Sequence, residues 1–159
     1  IGVNDHEIKL FEGLYEVPNG MAYNSYLILD EKIAILDTVD EGFSEQWMGQ
    51  IKANLKDQKP DFLIVQHMEP DHSANILNLL KEYPDVILVA SRKAFDMMTN
   101  YFGKTFEEQR IIVSDGDKLS LGKHMLEFVE APIPITRSLN LTSSEIPPAE
   151  PIRMIASTS

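Results

Sequence analysis

The sequence predicts a mixed α/β fold, a layered αββα sandwich, and three observations carry the prediction. Short apolar runs crowd the beginning of the chain, Tyr26 to Leu29 and Ile33 to Leu36 among them. From Ser44 onward, helical spacing and strand-like runs alternate as far as Met125 to Val129. Val86 to Ala90 is apolar without interruption, the pattern of a strand covered on both faces. Strands first and alternation afterwards describe sheets with helices laid against them.

The elements follow in order. The opening segment, through Ile8, Leu10, Leu14, Tyr15 and Val17, reads as short strands broken at Gly13, and Asp5-His6-Glu7 as a solvated polar chain end. Tyr26 to Leu29 and Ile33 to Leu36, joined by Asp30-Glu31-Lys32, form a hairpin. Asp37 and Thr38 close its second strand, and an acid in that place braces a neighbouring loop. Ser44 is the expected N-cap of a helix, with Phe43 and Met48 as a hydrophobic staple. Trp47, Met48, Ile51 and Leu55 are its apolar stripe and belong to the core rather than to a cofactor site.

Past Lys59-Pro60 comes the strand Phe62-Leu63-Ile64-Val65, and then a helix beginning near Ser73 whose buried face is Ile76, Leu77, Leu79 and Leu80. Ser91 opens another helix, with Ala94, Phe95, Met98, Tyr101 and Phe102 at helical spacing and Gly103 as its stop. Ile111 to Val113 is a short strand, and Ser114-Asp115-Gly116-Asp117 is a turn with too few donors for calcium. Leu119, Leu121 and Met125 to Val129 read as two strands joined by Gly122-Lys123-His124, with His124 exposed and apart from any cluster.

Composition sets the bounds. A chain of 159 residues, 43% of them hydrophobic, can bury a core as one domain. A formal charge of -11 excludes nucleic acid and an anionic membrane surface as partners, because both are polyanions. There is no cysteine, hence no disulfide framework, thiolate metal site or cysteine nucleophile. No apolar run reaches membrane-spanning length and no signal-peptide pattern opens the chain, so the expected setting is cytoplasmic.

The densest chemistry lies in Gln66-His67-Met68-Glu69-Pro70-Asp71-His72. Side chains two apart on extended chain point the same way, so His67 and Glu69 project together while Met68 points away. Pro70 holds Glu69 extended and starts a turn that carries Asp71 and His72. Two carboxylates and two imidazoles so close together repel or lack partners unless a cation lies between them. One pair on the strand's exit and another on the turn suit two metals side by side. The bland alternative has Asp71 capping the helix and both histidines as ordinary loop residues; the density of donors argues for metal.

His-x-Glu-x-Asp-His after an apolar strand resembles the first ligand cluster of the flavodiiron proteins, the A-type flavoproteins. Further stretches resemble the same family: Pro18 to Ile28, Ala34 to Val39, Ser114 to Asp117 and Leu126 to Pro132. The likeness covers about residues 7 to 132. It implies an N-terminal domain of metallo-β-lactamase fold whose hydrolytic relatives carry His-x-His-x-Asp-His and bind zinc. With Glu69 in place of the second histidine the preference moves toward iron, which takes mixed nitrogen and oxygen donors. The resemblance implies two iron ions, His67 and Glu69 on one, Asp71 and His72 on the other, at which dioxygen or nitric oxide is reduced. It also implies electrons from FMN on a flavodoxin-like domain or from a rubredoxin-type donor, and a homo-oligomer, commonly a head-to-tail dimer. The chain has no phosphate-binding glycine loop to hold the flavin itself.

The pattern changes after Pro132. Residues 133–159 form a divergent tail rich in proline, serine and threonine, expected to be extended or disordered, and residues 1–132 the partial di-iron domain. The resemblance implies a histidine soon after Glu130-Ala131-Pro132, a bridging aspartate later and a last histidine near the domain's end. Here Ile133, Pro134 and Ile135 follow, no Asp lies beyond Asp117 and no His beyond His124. Ile152 to Ser157 faintly resembles the strand preceding that last histidine. Two alternatives therefore stand beside the oxidoreductase: a metal-dependent hydrolase of the β-lactamase superfamily, and a non-catalytic fragment with an incomplete metal site.

Overall fold

The computed structural model describes residues 1–11, 14–130 and 152–158. In chain order, β1 (Val3–Asp5) pairs antiparallel with β4 (Met21–Tyr23), and β2 (Leu10–Phe11) with β3 (Tyr15–Glu16). The expected break at Gly13 falls outside the described residues. β5 (Tyr26–Ile28) and β6 (Ala34–Leu36) form the expected hairpin. Then come α1 (Ser44–Leu55), β7 (Phe62–Val65), α2 (Pro70–Ser73), α3 (Ile76–Glu82), β8 (Ile87–Ala90), α4 (Arg92–Phe102) and β9 (Arg110–Ile112). β10 (Lys118–Ser120), β11 (His124–Glu130) and β12 (Ile152–Thr158) complete the chain.

Five strands form the main sheet in the order β5-β6-β7-β8-β9, with β5 antiparallel and the rest parallel. Alternation along these strands builds two cores. Ile35, Leu63, Val65, Leu88 and Ala90 meet Trp47, Ile51 and Leu55 of α1, Ile76 and Leu79 of α3, and Phe95 and Met98 of α4. Ala34, Phe62, Ile64 and Val89 meet Leu126 and Phe128 of β11. A strand buried on both sides must be apolar at every position, and all four residues of β7 are buried. Helices, sheet and second sheet are thus three layers of the αββα sandwich, whose C-terminal half the sequence leads one to expect incomplete; a second helical layer does not appear among the described residues.

Two helix starts differ in detail from expectation. Ser44 is the first residue of α1 rather than its cap, because Asp40 already accepts the Gly42 N–H at 2.8 Å and caps a preceding 3₁₀ turn. The helical turn after β7 begins at Pro70, three residues earlier than Ser73. Proline at the first helical position lacks only an N–H that would have no partner there, and its fixed φ suits the helix. Elsewhere the readings hold: Ser91 Oγ accepts the Ala94 N–H at 3.1 Å to start α4, and Gly103, at φ +68°, ends it in the left-handed conformation.

β10, β11 and β12 form the second sheet, antiparallel throughout, with Glu130 opposite Ile152 and His124 opposite Thr158. Part of the divergent stretch 133–159 therefore supplies a strand; as far as residue 151, its reading as extended or disordered chain lies outside the described residues. The turn before β6 locks this sheet to the main one. Asp30, its side chain only 2% exposed, accepts the N–H groups of Glu31, Lys123 and His124 and lies 2.9 Å from His124 Nδ1. Burial works to raise its pKa, but these hydrogen bonds hold it well below the usual carboxylate range. His124 thus has an acidic partner far away in sequence, and is half-buried rather than exposed. Gly122, at φ +118°, lies so close that a Cβ there would sit 2.7 Å from Glu31 side-chain carbons. Among the described residues no helix is long and apolar enough to cross a membrane.

Candidate metal centre

Parallel strands β6, β7 and β8 all end on one edge of the main sheet, and three loops meet there: Asp37 to Asp40, Gln66 to Asp71, and Ser91. Open α/β sheets present their ligands at that edge, beyond the carboxyl ends of the strands. Asp37 sits in the left-handed region at φ +53°, which aspartate tolerates better than most residues. Its carboxylate, almost fully buried, accepts the Gln66 N–H at 2.7 Å on Oδ1 and the Gln66 Nε2–H at 3.3 Å on Oδ2. The acid closing the hairpin braces the ligand loop, as its position implied.

Beyond Gln66 the four expected ligands form two pairs. His67 Nε2 lies 2.8 Å from Glu69 Oε1, with the Glu69 side chain 46% exposed. His72 Nε2 lies 3.6 Å from Asp71 Oδ2, and its Nδ1 faces Asp37 Oδ2, also at 3.6 Å. The imidazoles meet edge to face with centroids 5.7 Å apart. Glu69 is extended and sits at the cap position of α2; Asp71 and His72 occupy its single turn. Among the described residues, no three His, Asp or Glu side chains form a group arranged to hold a metal ion.

Two features of the inner pair are unfavourable as they stand. His72 Nδ1 is buried and, at 3.6 Å from Asp37, finds no hydrogen-bond acceptor among the described residues. Asp71 is 8% exposed, and burial pushes its carboxyl above the usual range, with Glu69 adding to the rise and His72 opposing it. A cation beside them would remove the repulsion between Asp71 and Glu69 and give the buried charge a partner. The donors gathered here are nitrogen and oxygen, the mixed set that iron accepts.

Asp37 also sets the charge of His72. Its carboxylate raises the imidazole above the ordinary value; burial opposes this, and Asp71 and Glu69 reinforce it. A histidine raised in this way stabilises the fold fully below its unfolded pKa of about 6.5 and loses that contribution as pH rises through the elevated folded value. The metal-free chain should therefore melt at lower temperature as pH climbs from about 6.5 through the elevated folded value, and His72→Ala should flatten the profile. A wild-type profile flat over that range would contradict the assignment.

The four residues read as ligands from the sequence lie in two pairs at this sheet edge, next to the bracing acid Asp37. Sequence reading gave no role to Gln66 as the partner of Asp37 or to Asn75, and saw in Thr38 only the close of a strand; Thr38 and Asn75 are fully buried polar residues around the same loop. Their signal was available: a polar side chain at the end of an apolar strand, and an asparagine just ahead of an apolar helical stripe.

The family described as ODP family beta lactamase matches residues 21–134 of the chain. Diflavin flavoprotein A 1 of Synechocystis sp. is 39% identical over 129 residues, covering 80% of this chain and 22% of that protein. The nitric oxide reductase of Moorella thermoacetica is 34% identical over 134 residues, covering 84% of this chain and 33% of that one. Among solved structures, rubredoxin oxygen:oxidoreductase of Desulfovibrio gigas superposes with a TM-score of 0.77 at 29% identity, over 82% of this chain and 32% of that chain. The flavodiiron protein of Giardia intestinalis gives 0.73 at 28% identity, over 84% and 32%. The chain thus spans no more than about a third of the length of these relatives.

Proposed function

Since the chain belongs to the ODP family of β-lactamase domains, the part it shares with flavodiiron proteins, we propose that it is the di-iron module of an oxidoreductase that reduces dioxygen or nitric oxide. The observation that carries this reading is the pairing at the end of β7, His67 with Glu69 and His72 beside Asp71, each pair one imidazole and one carboxylate. Iron, if bound here, would supply a Lewis-acidic, redox-active centre suited to a diatomic gas. His67 and Glu69 would hold one ion, with Glu69 giving the hard oxygen donor where a zinc hydrolase would use histidine. Asp71 and His72 would hold the other, and Asp37, 3.6 Å behind His72 Nδ1, would be placed to orient the ring, as a carboxylate does for a metal-bound histidine.

Electrons come in this reading from FMN on a flavodoxin-like domain or through a rubredoxin-type donor, within a cytoplasmic homo-oligomer. The names of the Desulfovibrio rubredoxin oxidoreductase and of the diflavin flavoproteins support such a supply. Anaerobic titration with ferrous iron, followed by metal analysis of the desalted chain, tests the site. The expected result is about two irons per chain, falling to about one in His67→Ala/Glu69→Ala and in Asp71→Ala/His72→Ala. Addition of reduced flavodoxin should then bring consumption of dioxygen or nitric oxide. No iron above that of a variant lacking all four side chains would leave the chain a non-catalytic module. Hydrolysis of a phosphodiester or thioester with zinc would favour the hydrolase.

A further inference from the structure

The single turn of α2 carries Asp71 and His72, and a lone helical turn does not persist without outside support. It also leaves orphan groups where it stops at Ser73, before α3 resumes at Ile76. Both gaps are closed from the segment after β6. The His72 carbonyl accepts two hydrogen bonds from Thr38, one from its N–H at 2.8 Å and one from Oγ1–H at 2.9 Å. The same hydroxyl accepts the Asn75 N–H at 3.2 Å. Asn75 Nδ2 then donates back to the carbonyls of Val39 at 2.8 Å and Asp40 at 3.2 Å, while Asn78 Nδ2 donates to Asn75 Oδ1 at 2.9 Å.

Thr38 and Asn75 are 0% exposed, so water does not compete for these bonds. Five hydrogen bonds tie two short segments 34 to 37 positions apart, and neither side chain is among the candidate ligands. We propose that Thr38 and Asn75 are positioning residues that set the backbone under Asp71 and His72 before any metal arrives. The consequence for metal rests on the di-iron reading above; the pre-formed turn does not. A loop folded in advance spares the ion the entropy of ordering it, and a displaced ring nitrogen would lose its bond to the metal.

The test uses the full metal-free chain. Amide exchange followed by NMR should show slow Thr38 and Asn75 protons in the wild type. Thr38→Val keeps the shape and removes the hydroxyl, so the Asn75 amide should exchange at least about tenfold faster. Cobalt(II) binding should weaken by roughly 10- to 100-fold in Thr38→Val and return in Thr38→Ser. An Asn75 amide at random-coil rates in the metal-free wild type overturns the proposal, with no variant needed. So does a folded Thr38→Val chain with unchanged exchange and cobalt affinity. If the wild type protects both amides but takes no cobalt, the di-iron reading fails and the pre-formed turn stands.

Discussion

Trp47→Ala should lower the stability of the chain by about 3–5 kcal/mol, a large share of the roughly 5–15 kcal/mol that holds an ordinary domain together. Trp47 is fully buried in the core between α1 and the main sheet. Removing an indole there takes away its transfer free energy and leaves a cavity that the surrounding strands close only in part. The ring also does polar work: Nε1–H donates to Ser25 Oγ at 2.9 Å, and Ser25 Oγ–H donates to the Asp37 carbonyl at 2.9 Å. The damage therefore reaches the backbone of the residue that braces the ligand loop. Urea denaturation followed by circular dichroism measures the loss. Trp47→Phe separates the two contributions, because it restores most of the ring volume and leaves Ser25 without its donor, at a cost of about 1–3 kcal/mol. An alanine variant within about 1 kcal/mol of wild type would mean the ring is not packed as described.

Asp37→Ala should weaken ferrous iron binding by roughly 10- to 100-fold and destabilise the metal-free chain by about 1–3 kcal/mol. The two effects have separate origins. Gln66 N–H loses its acceptor at 2.7 Å, so the chain entering His67 is no longer held. His72 loses the carboxylate that faces its Nδ1 at 3.6 Å, the place from which a metal-bound histidine is steadied. Asp37→Asn distinguishes them: asparagine accepts the left-handed backbone and can still receive the Gln66 N–H, but carries no charge toward His72. Isothermal titration with iron under argon should rank wild type above asparagine and asparagine above alanine. Equal affinity in all three would end the bracing role.

How far the fold could be read from the sequence depended on how local its causes were. β7 and β8 announce themselves by unbroken apolar runs, α4 by Ser91 and Gly103 at its ends, and the β5–β6 hairpin by its charged turn. Each signal sits in the residues it describes. The same holds for His67, Glu69, Asp71 and His72, which lie within six consecutive positions. The contacts that escaped notice join distant segments: Thr38 to His72 and Asn75, and Asp30 to His124. Their partners are fixed by which strands lie side by side, and the pairing of β6 with β7 is what brings Thr38 opposite the ligand turn. The helix start at Ser44 was displaced by a competing cap at Asp40, and that at Pro70 by the fit of proline to the first helical position.

The lock between Asp30 and His124 bears on the order in which the molecule assembles. Its backbone bond spans 94 positions, so the loop it closes is among the most expensive in chain entropy that a protein of this size can form. The β5–β6 hairpin can form as soon as Leu36 is made, whereas the turn that caps its far end exists only after position 124. Ala34, Phe62, Ile64 and Val89 on the other face of the main sheet are covered by Leu126 and Phe128, which lie beyond that point in the chain. Docking of the second sheet is therefore expected to follow assembly of the helical side, and pulse-labelled amide exchange during refolding should show β11 protected after β7 and β8.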